Sequence, residues 1–153
     1  MHSCNRVPQG QRHTGRLTMT QTASTSQAIA LLRVTSGALL LTHGLIKLLV
    51  FTPAGTAGFF ESIGFPGILA YPVMAGEIGL GLALILGFMT RWAALAALPI
   101  MIGAIVPHAG NGFTFSNTGG GWEFPVFWTI VLAAQAIMGD GANAIGNPLK
   151  QKA

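Results

Sequence analysis

Charge is what this sequence has least of. Among its 153 residues, Lys and Arg number eight and Asp and Glu four, whereas roughly a quarter of a typical soluble domain is charged. So few charges cannot cover a water-facing surface, which excludes an ordinary soluble domain. Cysteine is nearly absent as well. The single thiol, Cys4, excludes an intrachain disulfide and any Cys-x-x-Cys pair for redox or metal chemistry. If the chain serves a redox system, its electrons must travel on a bound cofactor or a partner. HExxH, the Walker loop, GxGxxG and GxSxG are all missing, so soluble-type hydrolase and nucleotide chemistry lack support. The net charge of +4 sits largely in the flanks, at Arg6, Arg12, Arg16, Lys150 and Lys152. It forms no patch. The expected partner is therefore the lipid bilayer, and nucleic acid is not expected.

What the chain does have is apolar length. Crossing a hydrocarbon core takes about 20 helical residues, and four segments come near this, at about 28–50, 71–89, 92–107 and 122–139. The third is short and contains Pro99, which a membrane helix tolerates when neighbours satisfy the freed carbonyl. The expected fold is an all-α, integral membrane four-helix bundle. Residues 28–145 form the membrane domain and 146–153 a basic cytoplasmic tail. The polar segment 1–27 reads as a disordered cytoplasmic leader, with 1–18 either part of it or a start-site artefact upstream of Met19. With the N-terminus inside, Arg91 and the basic flanks all fall on the inner side. The outer loops, about 51–70 and 108–121, then hold no Lys or Arg. By the positive-inside rule both termini are cytoplasmic.

The first outer loop carries the signals of a short interfacial helix between the first two spans. Thr52 suits the cap, Pro53 the first turn and Gly64 the stop. Phe59, Phe60 and Ile63 give it an apolar face. It is either an ordered loop packed on the bundle or a lid over a lipid-accessible cavity. In the second span Ala75, Gly79, Ala83 and Gly87 recur every four residues, a stripe of small side chains that predicts close helix approach. Glu77 points away from that stripe.

The ionisable residues in the spans define the candidate site. At a rise of about 1.5 Å per residue, His43, Lys47, Glu77, His108, Asn111 and Glu123 all fall in the outer half, although they come from four segments. Charged groups at membrane depth are costly and usually face a partner or a cavity. Lys47 and Glu77 read as the central pair, either a proton relay or a structural ion pair holding two spans in register. His43, His108, Asn111 and Glu123 read as ligand-binding neighbours. Each also has a plain reading: a snorkelling Lys47, an interior His43, an interfacial His108, an Asn111-Gly112 turn and a helix-start carboxylate at Glu123. Together, imidazole, amine and carboxylate could bind a polar headgroup such as a quinone or exchange protons. Haem held by His43 and His108 is disfavoured, since their depths differ and the spacing carries no haem signature. No metal is expected. Arg33 stands apart near the inner surface, where its stem could snorkel to the headgroups.

These residues resemble the DoxX family. The run Leu32 to Gly37 with His43-Gly44 and Lys47 looks like that family's first span, and Phe60 to Pro66 like its outer loop. Glu77 to Gly87 followed by Thr90-Arg91 is similar to its second span and inner turn. His108, Asn111-Gly112-Phe113 and Gly121-Trp122-Glu123 resemble its third loop. The resemblance covers about 28–145. It implies a four-span bacterial inner-membrane protein linked to quinone-dependent redox, oxidative-stress or detoxification systems. It also implies a redox-enzyme partner or a homo-oligomer. No family-wide catalytic residue carries over. A non-catalytic scaffold that docks redox enzymes, and a small-solute or proton pathway, are the competing expectations.

Overall fold

The structure, a computed structural model, describes residues 9–146, with side chains from residue 21 onward. Expectations for 1–8 and for nearly all of the basic tail lie outside the described residues. Five α-helices follow in order: α1 Gln9–Leu49, α2 Pro53–Ser62, α3 Ala70–Leu86, α4 Thr90–Ile105 and α5 Glu123–Met138. Two 3-10 turns, Gly67–Leu69 and Val106–Asn111, precede α3 and follow α4. Helix α1 starts inside the leader expected to be disordered, so helix runs through residues 9–27.

Three helical stretches are long and apolar enough to cross a bilayer: Gln21–Leu49, Gly67–Leu86 and Thr90–Asn111. Helix α5 is equally apolar but has 16 residues, about 24 Å of rise. The four pack as a ring in which α3 joins α1 to α4 and α5 closes back onto α1. This is a helical membrane bundle.

The buried positions explain why the helices meet as they do. Helix α1 buries Arg33, Ser36, Gly37, Leu40 and Gly44, and α3 buries Ala70, Met74, Glu77, Gly81 and Leu84. Ala93, Ala94, Ala97 and Met101 of α4 meet Trp128 and Leu132 of α5. Steps of three and four residues keep each set on one helical face. Between helices in lipid there is little hydrophobic drive, so van der Waals packing of close backbones carries the association. That contact lies between α1 and α3. A Cβ added at Gly37 would come within 2.6 Å of the Gly81 carbonyl oxygen, and one added at Gly81 within 2.7 Å of the Leu41 nitrogen.

The close approach therefore uses Gly81 and not the stripe expected in its place. Of that stripe Gly87 alone is buried, against the Arg33 side chain and Ala144; Ala75 and Gly79 are exposed, Ala83 is half-buried, and a Cβ at Gly79 would meet nothing. The packing face of α3 is the face that carries Glu77. Periodicity located two faces on this helix, and the neighbour's glycines at 37 and 44 decided which one packs.

The cap chemistry of α2 is realised. Thr52 Oγ1 accepts from the Gly55 N–H at 3.2 Å, Pro53 opens the helix, and Gly64 beyond its end has φ 86°. Thr56 is buried, and its hydroxyl lies 3.1 Å from the Lys47 carbonyl and 2.9 Å from that of Thr52. Helix α2 is thereby tied to the last turn of α1.

Candidate functional site

Glycine 44 sets the site up. With no side chain there, α3 comes so close that a Cβ would stand 3.0 Å from the Glu77 Cβ. One turn further along α1, Lys47 reaches across, and its Nζ donates to Glu77 Oε1 as an ion pair. The Glu77 side chain is 5 % exposed and that of Lys47 24 %. The carboxylate is thus inside the bundle while the amine sits at its edge.

Lys47 and Glu77 line a cavity of about 590 Å³ at the end of the bundle that also holds α2. Ligand pockets for small molecules span roughly 300–1,000 Å³ and are mostly apolar with a few convergent polar groups. The walls here follow that pattern. Phe59, Phe60, Ile63 and Phe65 come from α2 and its exit, Val73 from α3, Ile100 and Met101 from α4, and Phe124 and Trp128 from α5. His43 and His108 complete the polar lining. Four of the six outer-half residues singled out in the sequence are therefore brought to one cavity, from α1, α3 and the turn after α4.

The other two are elsewhere. Asn111 Nδ2 donates to the Gly119 and Gly120 carbonyls at 3.1 and 3.0 Å, and the Asn111 carbonyl accepts from Asn117 Nδ2 at 2.7 Å. Glu123 Oε1 accepts from the Phe115 N–H at 2.6 Å. Both side chains fold the loop between α4 and α5 onto itself, and neither lines the cavity. Arg33 also departs from expectation. It is 1 % exposed rather than snorkelling, and its Nη2 donates to the Ala142 and Asn143 carbonyls at 3.1 and 3.3 Å. The guanidinium pins the segment after α5 to the opposite end of the bundle, beside Gly87.

Two details bear on the chemistry. His108 Nδ1 lies 3.0 Å from the Gly119 carbonyl and 3.1 Å from that of Gly120. Since both partners are acceptors, Nδ1 donates to them. In addition, Glu77 Oε2 and Trp128 Nε1 are buried without a hydrogen-bond partner among the described residues. Leaving a buried polar atom unpaired costs about 1–3 kcal/mol.

Trp128 was not singled out from the sequence. A signal was available, since a tryptophan in the middle of a span lies away from the interfacial belts and its N–H needs an acceptor. Its ring also touches His43, with centroids 5.5 Å apart. Among the described residues no group of three or more His, Cys, Asp or Glu side chains is placed to hold a metal ion.

A helical membrane bundle with a lined cavity at one end is the class these observations define. The chain belongs to the DoxX family, whose model matches residues 28–110. It is 38 % identical over 87 residues to the Bacillus subtilis (strain 168) protein named "Putative oxidoreductase CatD". That match covers 53 % of this chain and 63 % of the relative, so the chain spans less than two thirds of that protein's length. No solved structure matches the chain.

Proposed function

We propose that this protein is the membrane subunit of a redox or detoxification system, and that its cavity binds the ring of a quinone-like, lipid-soluble molecule. The observation that carries the reading is the convergence of Lys47, Glu77, His43 and His108 on one apolar cavity. An amphipathic ring would place its body among Phe59, Phe60 and Trp128 and its oxygens toward the polar groups. Lys47 and Glu77 would hold and exchange protons there, with the two imidazoles as neighbours. The relative's name supports the redox link. With no thiol pair in the sequence, electrons would pass through the bound ring to a partner enzyme.

The protein would sit in a bacterial inner membrane with both termini cytoplasmic. In support, Arg91 lies in the first turn of α4, at the end of the bundle opposite the cavity, the end that faces the cytoplasm under the positive-inside rule. Replacing Glu77 by Gln tests the reading. Redox-dependent resistance or activity of the host should be lost while membrane insertion and protein level stay normal. Unchanged activity at normal protein level would remove the carboxylate from any role in the chemistry.

One observation favours a second reading, a scaffold that docks redox enzymes. The Lys47–Glu77 pair joins α1 to α3 one turn beyond Gly44, which is also what a structural register pin would do. Under that reading, replacing both residues together by apolar ones leaves activity intact, and a partner enzyme co-purifies without bound ligand.

A further inference from the structure

The polar groups of this cavity are not balanced, and the imbalance specifies which form of a ring ligand it takes. Glu77 Oε1 is committed to Lys47, while Glu77 Oε2 is buried without a partner. An ion-paired carboxylate can only accept hydrogen bonds. His108 commits its Nδ1 proton to the Gly119 and Gly120 carbonyls. Against Glu77 Oε2, Trp128 Nε1, on a residue 4 % exposed, is an unpaired donor that can never accept. Buried polar atoms in folded proteins nearly always have partners. Here an acceptor and a donor, from α3 and α5, belong to residues lining the same space.

Resting on the reading that the cavity binds a quinone-like ring, we infer that it prefers the reduced, hydroxyl-bearing ring to the oxidised one, with Glu77 accepting from a ligand hydroxyl and Trp128 donating to a ligand oxygen. A quinone offers carbonyl oxygens alone. It could satisfy Trp128 and the spare N–H groups of Lys47, but it would leave Glu77 Oε2 unpaired. A hydroquinone hydroxyl both donates and accepts, and so can satisfy both atoms. Trp128 thereby becomes a ligand-recognition residue beside its role as cavity wall.

The test uses three ligands with the same ring and decyl tail: the hydroquinone, the quinone, and the hydroquinone dimethyl ether, which keeps the shape but has no hydroxyl. Binding is measured anaerobically by calorimetry on the full chain in lipid nanodiscs. One hydrogen bond to a charged acceptor is worth about a tenfold change or more in affinity, so the hydroquinone should bind at least about tenfold tighter than either competitor. Trp128→Phe should weaken the quinone and the hydroquinone alike, by several-fold, because it removes a donor both can use. Equal affinity for the three ligands, or tighter binding of the quinone, would overturn the inference and leave the cavity reading standing. No binding of any of them would overturn both.

Discussion

The two ends of this bundle place their buried polar groups in different surroundings. At the end holding the turn between α3 and α4, Arg33, Thr90 and Gln135 are fully buried, and none of them lines the cavity. Arg33 spends its Nη2 on two backbone carbonyls, and Gln135 Nε2 donates to the Gly139 carbonyl at 2.7 Å. At the other end, Lys47, Glu77, His43 and His108 surround open volume. Among the described residues, unpaired buried atoms occur at both ends, Arg33 Nε and Nη1, Thr90 Oγ1 and Gln135 Oε1 at the closed one and Glu77 Oε2 and Trp128 Nε1 beside the cavity, so what separates the ends is the open volume. Charge at membrane depth is therefore not by itself a mark of function. A buried cation away from any cavity, with one nitrogen bound to backbone carbonyls, reads as structure, and one at the rim of a cavity reads as a site.

If the closed end is a structural clamp, damage there should unfold the protein. Gly87 ends α3 with φ 70°, and a side chain there would collide with Arg33 and Ala144. Gly87→Val combines a positive φ on a β-branched residue with that collision. It should cost about 4 kcal/mol, read as loss of folded protein in thermal or denaturant unfolding in detergent. Retention of wild-type stability would mean that the Arg33 clamp is dispensable.

The cavity end should respond differently to single and paired changes. Lys47→Met leaves the Glu77 carboxylate buried and uncompensated, for a loss of about 3 kcal/mol. Adding Glu77→Leu removes the orphaned charge and should recover most of that stability. The proposed function then predicts a protein that is folded, inserted and inactive, whereas the scaffold reading predicts one that still works. Thermal unfolding measured beside a host resistance assay separates the two outcomes.

A smaller effect is expected where the cavity meets α2. Thr56→Val removes the hydroxyl that ties α2 to the Lys47 carbonyl. A loss of about 1 kcal/mol is expected, with faster amide exchange across Pro53–Ser62 while the amides of α3 and α4 keep their protection. Equal exchange in both proteins would mean that aromatic packing alone holds α2.

Much of this arrangement was legible in the sequence, for reasons that differ by residue. The four apolar stretches were long enough to stand out, and Thr52, Pro53 and Gly64 act within a few residues of their own positions, so α2 could be read locally. The common depth of Lys47 and Glu77 followed from helix rise alone. The small stripe on α3 was misjudged because two faces of that helix can pack, and only the glycines of α1 choose between them. The snorkelling expected of Arg33 failed for a related reason. The carbonyls it binds come from residues 142 and 143, about 110 positions away along the chain, and no local pattern announces them.

Asn111 and Glu123 give the sharpest contrast with Lys47 and Glu77, because depth placed all four together and the fold separates them. Depth fixes a level in the membrane but not a direction within it. The loop between α4 and α5 turns both side chains onto its own backbone, where Glu123 holds the Phe115 N–H and Asn111 the carbonyls of Gly119 and Gly120. Glu123→Gln keeps an acceptor for that N–H and should change ring-ligand affinity by less than about twofold, well under the value of one hydrogen bond to a charged group. Asn111→Ala should speed amide exchange across residues 112–122. It should touch the ligand only indirectly, through the carbonyls that also hold His108 Nδ1. Calorimetry with the hydroquinone on both variants checks this. A tenfold loss with Glu123→Gln would mean that the loop opens when ligand binds, and that its carboxylate then joins the cavity.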